Sequence, residues 1–222
     1  AIADRLAEMY AIERPTVLYN APEHVPQAPG PGLRERLALP NDGRLVVVYQ
    51  GLFRRGRGLG TLLDAARTVD GVRVVLIGEG DLEGDLRERG APLGDRLIVH
   101  PFVPPDALAA LTPGADLGAC LIEPLTESLR LSLPNKLFEY LSAGVPVLAS
   151  PLPEIRAVVE PAAVGVLADP HDPAAVAGAL RQSLDPERRR AWAENSRAAV
   201  APYAWTSGRD TFRRLILDLL AA

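Results

Sequence analysis

Residues 133–150 read LPNKLFEYLSAGVPVLAS, and their pattern sets the class of the fold. Leu133, Leu137 and Leu141 recur at helical spacing beside Phe138, while Asn135, Glu139 and Ser142 share a second face. Pro134 is tolerated in a first helical turn, and Ser132 offers an N-cap. Gly144 stops the helix, with Val145 placed to pack back as its cap contact. The run Val145–Ala149 is then apolar on successive residues, as in a strand covered on both faces. A short helix feeding a doubly buried strand is one unit of an α/β sheet.

The same alternation runs outward in both directions. Strands are predicted at Thr16–Tyr19, Leu45–Tyr49, Val72–Ile77, Leu97–His100, Asp116–Leu121, Val145–Ala149 and Gly165–Ala168. Helices are predicted at Gly60–Val69, Leu82–Arg89, Pro105–Leu111, Asn135–Ser142, Pro153–Val159 and Pro173–Leu184, and two more near Pro186–Val200 and Ser207–Ala221. Strands alternating with helices imply right-handed crossovers and a doubly wound parallel sheet. The segment Asn20–Pro40, with NAPEHVPQAPGPG, reads as a Pro/Gly-rich linker. Ile122–Ser132 is long and partly polar for a strand-to-helix connection, which points to a functional loop. The first residues, AIADRLAEMY, lack an initiator methionine and open on an amphipathic helix, so the chain reads as a piece of something longer.

Composition narrows the function. The 222 residues are 48% hydrophobic and 23% charged, enough for a sizeable core. A net charge of −4 argues against a nucleic-acid partner held by general electrostatics. One cysteine, Cys120, leaves no disulfide framework, which makes the cytosol the default compartment, and no apolar run reaches membrane-spanning length. His24, His100 and His171 are far apart, so no metal site is expected. Neither a G-x-S-x-G elbow nor a Cys/His pair is present.

In a doubly wound sheet the ligand lies beyond the carboxyl ends of the strands. After Tyr49 comes QGLFRRGRGLG, where Gly51, Gly56, Gly58 and Gly60 separate Arg54, Arg55 and Arg57. Backbone amides at a helix start with a guanidinium suit a phosphate or diphosphate, although such a cluster alone also reads as a solvated basic turn. After Ile77, Gly78 and Gly80 allow a tight turn, but the third glycine, Gly84, is out of step with a dinucleotide fingerprint. His100 ends the next strand, facing a ligand or serving the scaffold. Glu139 suits a vicinal diol if its helix start faces phosphate; otherwise it pairs with Lys136 at the surface.

Taken together these loops resemble the C-terminal, nucleotide-sugar-binding half of a retaining GT-B glycosyltransferase of the group 1 type, family 4. The likeness runs through VLYNAPE, YQGLFRRGRGL, VVLIGEGDLEGDL, VHPFVPPDALAAL, ADLGACL, LPNKLFEYLSAGVPVLAS and LPEIRAVVE to YAWTSGRDTFRRLILDLL. It implies a residual inter-domain helix, first strand and linker in 1–40, a Rossmann-like domain in 41–205, and in 206–222 a C-terminal helix packed toward an N-terminal acceptor domain absent from the chain. It further implies sugar transfer from a nucleotide diphosphate sugar of UDP or GDP type to an acceptor hydroxyl, with retention and without a metal or cofactor. In the family's E-x7-E pattern Glu139 matches the second acid, the ribose ligand, and Leu131 stands at the first; Glu123 or Glu127 would have to replace it. Of the cations that clamp the diphosphate, the Lys position matches Arg57 and the Arg position matches Leu52, leaving Arg54, Arg55 or Lys136 to supply the second charge. Ser132, Leu133 and Asn135 match the turn that approaches the donor phosphates and sugar. Gly51, Gly78, Gly80 and His100 fall in the loops around the nucleotide. Two other functions are compatible with the same half-fold: a nucleotide-sugar 2-epimerase, and a non-catalytic module retained for protein contacts.

Overall fold

The computed structural model describes residues 2–19 and 32–221. Six strands form one sheet: β1 (Leu45–Gln50), β2 (Val72–Ile77), β3 (Leu97–His100), β4 (Leu117–Cys120), β5 (Val147–Ala149) and β6 (Gly165–Leu167). Their order is β3-β2-β1-β4-β5-β6 and every pairing is parallel. This is the doubly wound arrangement the alternation predicts, and its order reverses between β1 and β4. The helices among the described residues are α1 (Ile2–Tyr10), α2 (Leu33–Arg36), α3 (Leu59–Arg67), α4 (Glu83–Gly90), α5 (Pro105–Leu111), α6 (Glu127–Arg130), α7 (Asn135–Ser142), α8 (Pro153–Ala162), α9 (Pro173–Gln182), α10 (Pro186–Ala199) and α11 (Trp205–Ala221).

Both faces of the sheet are covered because β1 is apolar at successive positions. Leu45, Val47 and Tyr49 join Leu63, Ala66 and Leu180 of α3 and α9 on one side. Val46 and Val48 meet Leu137, Leu141 and Ile155 of α7 and α8 on the other. The glycine end of α7 closes as its sequence predicts: with Gly144 at φ 69°, its N–H donates to the Leu141 carbonyl and that of Val145 to the Tyr140 carbonyl.

A second glycine effect sits at the reversal point. A Cβ on Gly118 of β4 would come within 2.4 Å of the Tyr140 ring. Gly118→Ala is therefore expected to destabilise the fold by about 1–3 kcal/mol through overpacking. The control is Gly178→Ala in α9, where nothing lies within 4 Å of the added methyl. That change is expected to stabilise by about 0.4–1 kcal/mol, and thermal melts of the two variants check both signs.

Several expectations are corrected. Thr16–Tyr19 forms no strand; Tyr19 packs instead against Tyr203 and Phe138, with ring centroids 5.1 and 6.4 Å away, so aromatic contact rather than a ladder holds it. The 122–132 connection contains α6, capped where Thr126 Oγ1 accepts from the Leu129 amide. Ser132 does not cap α7, because its hydroxyl donates to the Leu129 carbonyl and closes α6; Pro134 is the residue before α7. His24 and most of the Pro/Gly-rich stretch, 20–31, lie outside the described residues. No described helix is long and apolar enough to cross a membrane.

Candidate functional site

The β1–β4 pairing ends at Val48 and Gly118, and beyond it the strands part. Tyr140 of α7 fills the gap. Its hydroxyl accepts from the Gln50 amide at 3.1 Å and lies 3.3 and 3.4 Å from the Val48 and Ala119 carbonyls. Burial raises the pKa of this phenol well above its ordinary value, so it stays protonated and tethers α7 to the strand ends. Above it opens a cleft of about 320 Å³, walled by Gln50, Gly51, Leu52, Arg57, Lys136 and Glu139, with Asn135 at the helix start.

Glu139 projects into this cleft one turn inside α7. Its Oε2 accepts from Gln50 Nε2 at 2.5 Å. Gln50 is 2% exposed, and its Oε1 accepts from Thr112 Oγ1 at 2.9 Å. No partner holds Glu139 Oε1 among the described residues.

Lys136 lies beside it. Its Nζ stands 3.6 Å from the centroid of the Tyr49 ring, and Tyr49 Oη donates to the Leu52 carbonyl at 2.8 Å, which pins the ring. Among the described residues no carboxylate comes within ion-pair distance of Lys136, so the surface pair with Glu139 does not form. Burial pushes the ammonium down to a pKa of about 7. Lys136 is also the only lysine in the 222 residues. Leu52, 44% exposed on the cleft wall, supplies no charge at the position it occupies.

The arginine loop after β1 is braced from behind. Gly51 and Phe53 donate to the Ile77 and Glu79 carbonyls at 2.9 and 2.8 Å. A Cβ on Gly78 would meet the Gly51 oxygen at 2.0 Å, and one on Gly80 would meet the Phe53 oxygen at 2.5 Å. Gly78 and Gly80 therefore let two loops touch and do not line the cleft. Arg57 lines the cleft and also an adjoining one of about 260 Å³, shared with Arg54, Arg55 and Arg89. Arg89 is bound to Asp64, whereas Arg54, Arg55 and Arg57 have no ion-pair partner among the described residues.

The remaining sequence candidates are placed elsewhere. His100 Nδ1 lies 2.9 Å from the Pro101 oxygen, the His100 carbonyl accepts from Gly78, and His100 is not among the residues that line the cleft. Leu133 lines a second pocket against the N-terminal segment, together with Leu131, Leu6, Tyr19 and Phe138, and Asn135 borders both this pocket and the cleft. Leu131 does not line the cleft that holds Glu139. Neither candidate acid lines the cleft with Glu139: Glu123 Oε1 accepts from the Gly58 amide at 3.1 Å, and Glu127 grips Arg130 at 2.7 and 2.8 Å. No cluster of three or more His, Cys, Asp or Glu side chains that could hold a metal occurs among the described residues. Sequence reasoning passed over Gln50, Thr112 and Tyr49. A signal for Gln50 existed: it shares the parity of Val46 and Val48, which places an amide on a buried face where it must be bonded.

The arrangement offers one carboxylate, two cations of different chemistry and a helix start around a single opening, which suits a polyhydroxylated, multiply anionic ligand. The family model for glycosyl transferases group 1 matches residues 44–186. D-inositol 3-phosphate glycosyltransferase from Xylanimonas cellulosilytica is 33% identical over 199 residues, 85% of this chain and 45% of that protein. Sucrose-phosphate synthase from Thermosynechococcus elongatus superimposes with a TM-score of 0.70 at 27% identity, covering 85% of this chain and 48% of its own. HepE from Anabaena, solved with UDP and glucose, gives 0.71 at 20% identity over 93% of this chain and 57% of its own, which speaks for the fold. The chain spans about half the length of the curated relatives it matches.

Proposed function

The chain belongs to the group 1 glycosyl transferases, and from that premise we propose that it is the donor-binding half of an enzyme moving a sugar from a nucleotide diphosphate sugar to an acceptor hydroxyl. The observation that carries this reading is the meeting of Glu139, Lys136 and Arg57 around one cleft at the point where the strand order reverses. Glu139 Oε1 takes the ribose hydroxyls. Arg57, Lys136 and the unpaired first amides of α7 face the diphosphate. As the bond from the anomeric carbon to the donor phosphate breaks, negative charge grows on the departing diphosphate, and these groups are already in place to neutralise it. Stabilising the leaving group in this way asks nothing of a covalent nucleophile; the buried Cys120 thiol, pushed up to about 11, is not one. Transfer with retention and without a metal is the reading that the family likeness supports.

UDP is the favoured nucleotide, since HepE was solved with it. The acceptor would be held by a second domain of the same protein, facing the cleft across a boundary near residues 40 and 206. In that assembly α11 packs toward the second domain with Phe212, Ile216, Leu219 and Leu220, all exposed here.

A thermal-shift panel with UDP, GDP, ADP and CDP tests the proposal. One diphosphate is expected to stabilise the chain, by about 2.7 kcal/mol at a hundred times its dissociation constant. No shift with any of the four would overturn the reading.

A further inference from the structure

We propose that Gln50 is a positioning residue that aims Glu139 and thereby makes the site selective for ribonucleotides over their deoxy counterparts. This rests on the donor-binding role of Glu139 above. The argument begins with burial: an amide that is 2% exposed must have both ends bonded. Gln50 meets that demand with Thr112 on one side and Glu139 on the other.

The charge on Glu139 gives this chain its direction. An ionised carboxylate accepts only, so the NH₂ end of Gln50 turns toward it. The Gln50 oxygen must then face Thr112, whose hydroxyl proton points to it. The Leu108 carbonyl, 2.9 Å from Thr112 Oγ1, would otherwise claim that proton. Reversing the amide would set its oxygen against the carboxylate, a repulsive contact in a dry place. The three side chains therefore have one satisfied arrangement. In it Glu139 Oε2 is held by Gln50, and Oε1, with no partner among the described residues, is offered to the cleft.

A carboxylate on a half-buried helix face has several rotamers, and only those directed at the cleft can meet a 2′,3′-diol. By holding Oε2 at 2.5 Å, Gln50 removes the others before the ligand arrives. The strand supports this economy. Gln50 ends β1, its own amide is held by Tyr140 Oη, and Tyr140 and Glu139 are neighbours in α7. The positioning group and the group it positions are thus tied to one helix by two separate bonds.

The test compares UDP with 2′,3′-dideoxy-UDP by calorimetry on the wild-type chain, Gln50→Leu, Thr112→Val and Thr112→Ser. The wild type is expected to prefer the ribonucleotide. Gln50→Leu is expected to lose about tenfold in UDP affinity while dideoxy-UDP binding stays level, so the ratio collapses. Thr112→Val should lower the ratio by less, and Thr112→Ser, which keeps the hydroxyl, should restore it. If Gln50→Leu does not fold, the Thr112 pair decides. Equal losses for both ligands, or an unchanged ratio, would reduce Gln50 to scaffold and overturn the proposal. Wild-type chain that binds neither nucleotide would instead overturn the donor-binding reading beneath it.

Discussion

Glu139→Gln is expected to weaken nucleoside diphosphate binding roughly 30- to 100-fold. The change keeps the shape of the side chain, but an amide has a single accepting oxygen: when that oxygen keeps the bond from Gln50, an NH₂ donor stands where Oε1 was. Hydrogen bonds to charged groups contribute about 1.5–3 kcal/mol, against about 0.5–1.5 for neutral ones. Two hydroxyls that donated to Oε1 can at best accept from that NH₂, each exchanging a charged bond for a neutral one. Calorimetric titration with UDP measures the effect, and 2′,3′-dideoxy-UDP provides the control, because a ligand without the diol has nothing to lose. Unfolding of the free variant should stay close to wild type. Glu139→Ala behaves differently: it leaves the buried amide of Gln50 without an acceptor, so the free chain itself should lose about 1–3 kcal/mol. Wild-type affinity in Glu139→Gln would remove the carboxylate from the site.

The second large effect concerns Lys136 and pH. Its ammonium sits partly buried over Tyr49 without a carboxylate partner, and its pKa falls to about 7. A diphosphate binds the protonated form, so affinity should fall as pH rises above about 7. The decline approaches roughly tenfold per pH unit until the higher pKa of the ligand-bound lysine is reached. The free chain moves the opposite way. Between about 7 and the ordinary lysine value of 10.5 the unfolded chain carries the extra proton, so this group's contribution makes folding more favourable as pH rises. Binding and stability thus diverge over one window. Lys136→Met should flatten both slopes and bind UDP weakly at every pH. Lys136→Arg should abolish the pH dependence, because a guanidinium does not titrate there. A pH-independent UDP affinity from 7 to 9 in the wild type would mean that this ammonium does not meet the diphosphate. In a chain whose other basic side chains, apart from three histidines, are all arginine, a titratable amine at this point is a chemically distinct choice.

The fold was legible where burial is two-sided. Runs such as Leu45–Gln50 and Val72–Ile77 are apolar at every step but the last of one and Arg73 in the other, a pattern that suits central parallel strands. It failed at Thr16–Tyr19, whose apolar residues look the same in sequence, although Tyr19 packs on Tyr203 and Phe138 and Val17 stays exposed. It failed again in the 122–132 loop, where the four residues of α6 are too few to show a helical period.

Within the site, legibility followed locality. Asn135, Lys136 and Glu139 share a helix whose start and stop are written in Pro134 and Gly144, so their common approach to a strand end could be read from spacing. Arg57 could be named because it closes a glycine-punctuated turn at a strand end. Whether the acid position before Glu139 mattered could not be read: Leu131 looked like a lost ligand, and in the structure it is a buried wall of a different pocket. Periodicity encodes which faces are buried and in what order the elements come, since both depend on residues a few positions apart. The bond between Gln50 and Glu139 spans 89 residues and that between Thr112 and Gln50 spans 62. Such partners meet only when the strand order brings β1, α5 and α7 to one end of the sheet, where the cost of an unpaired buried amide selects their arrangement.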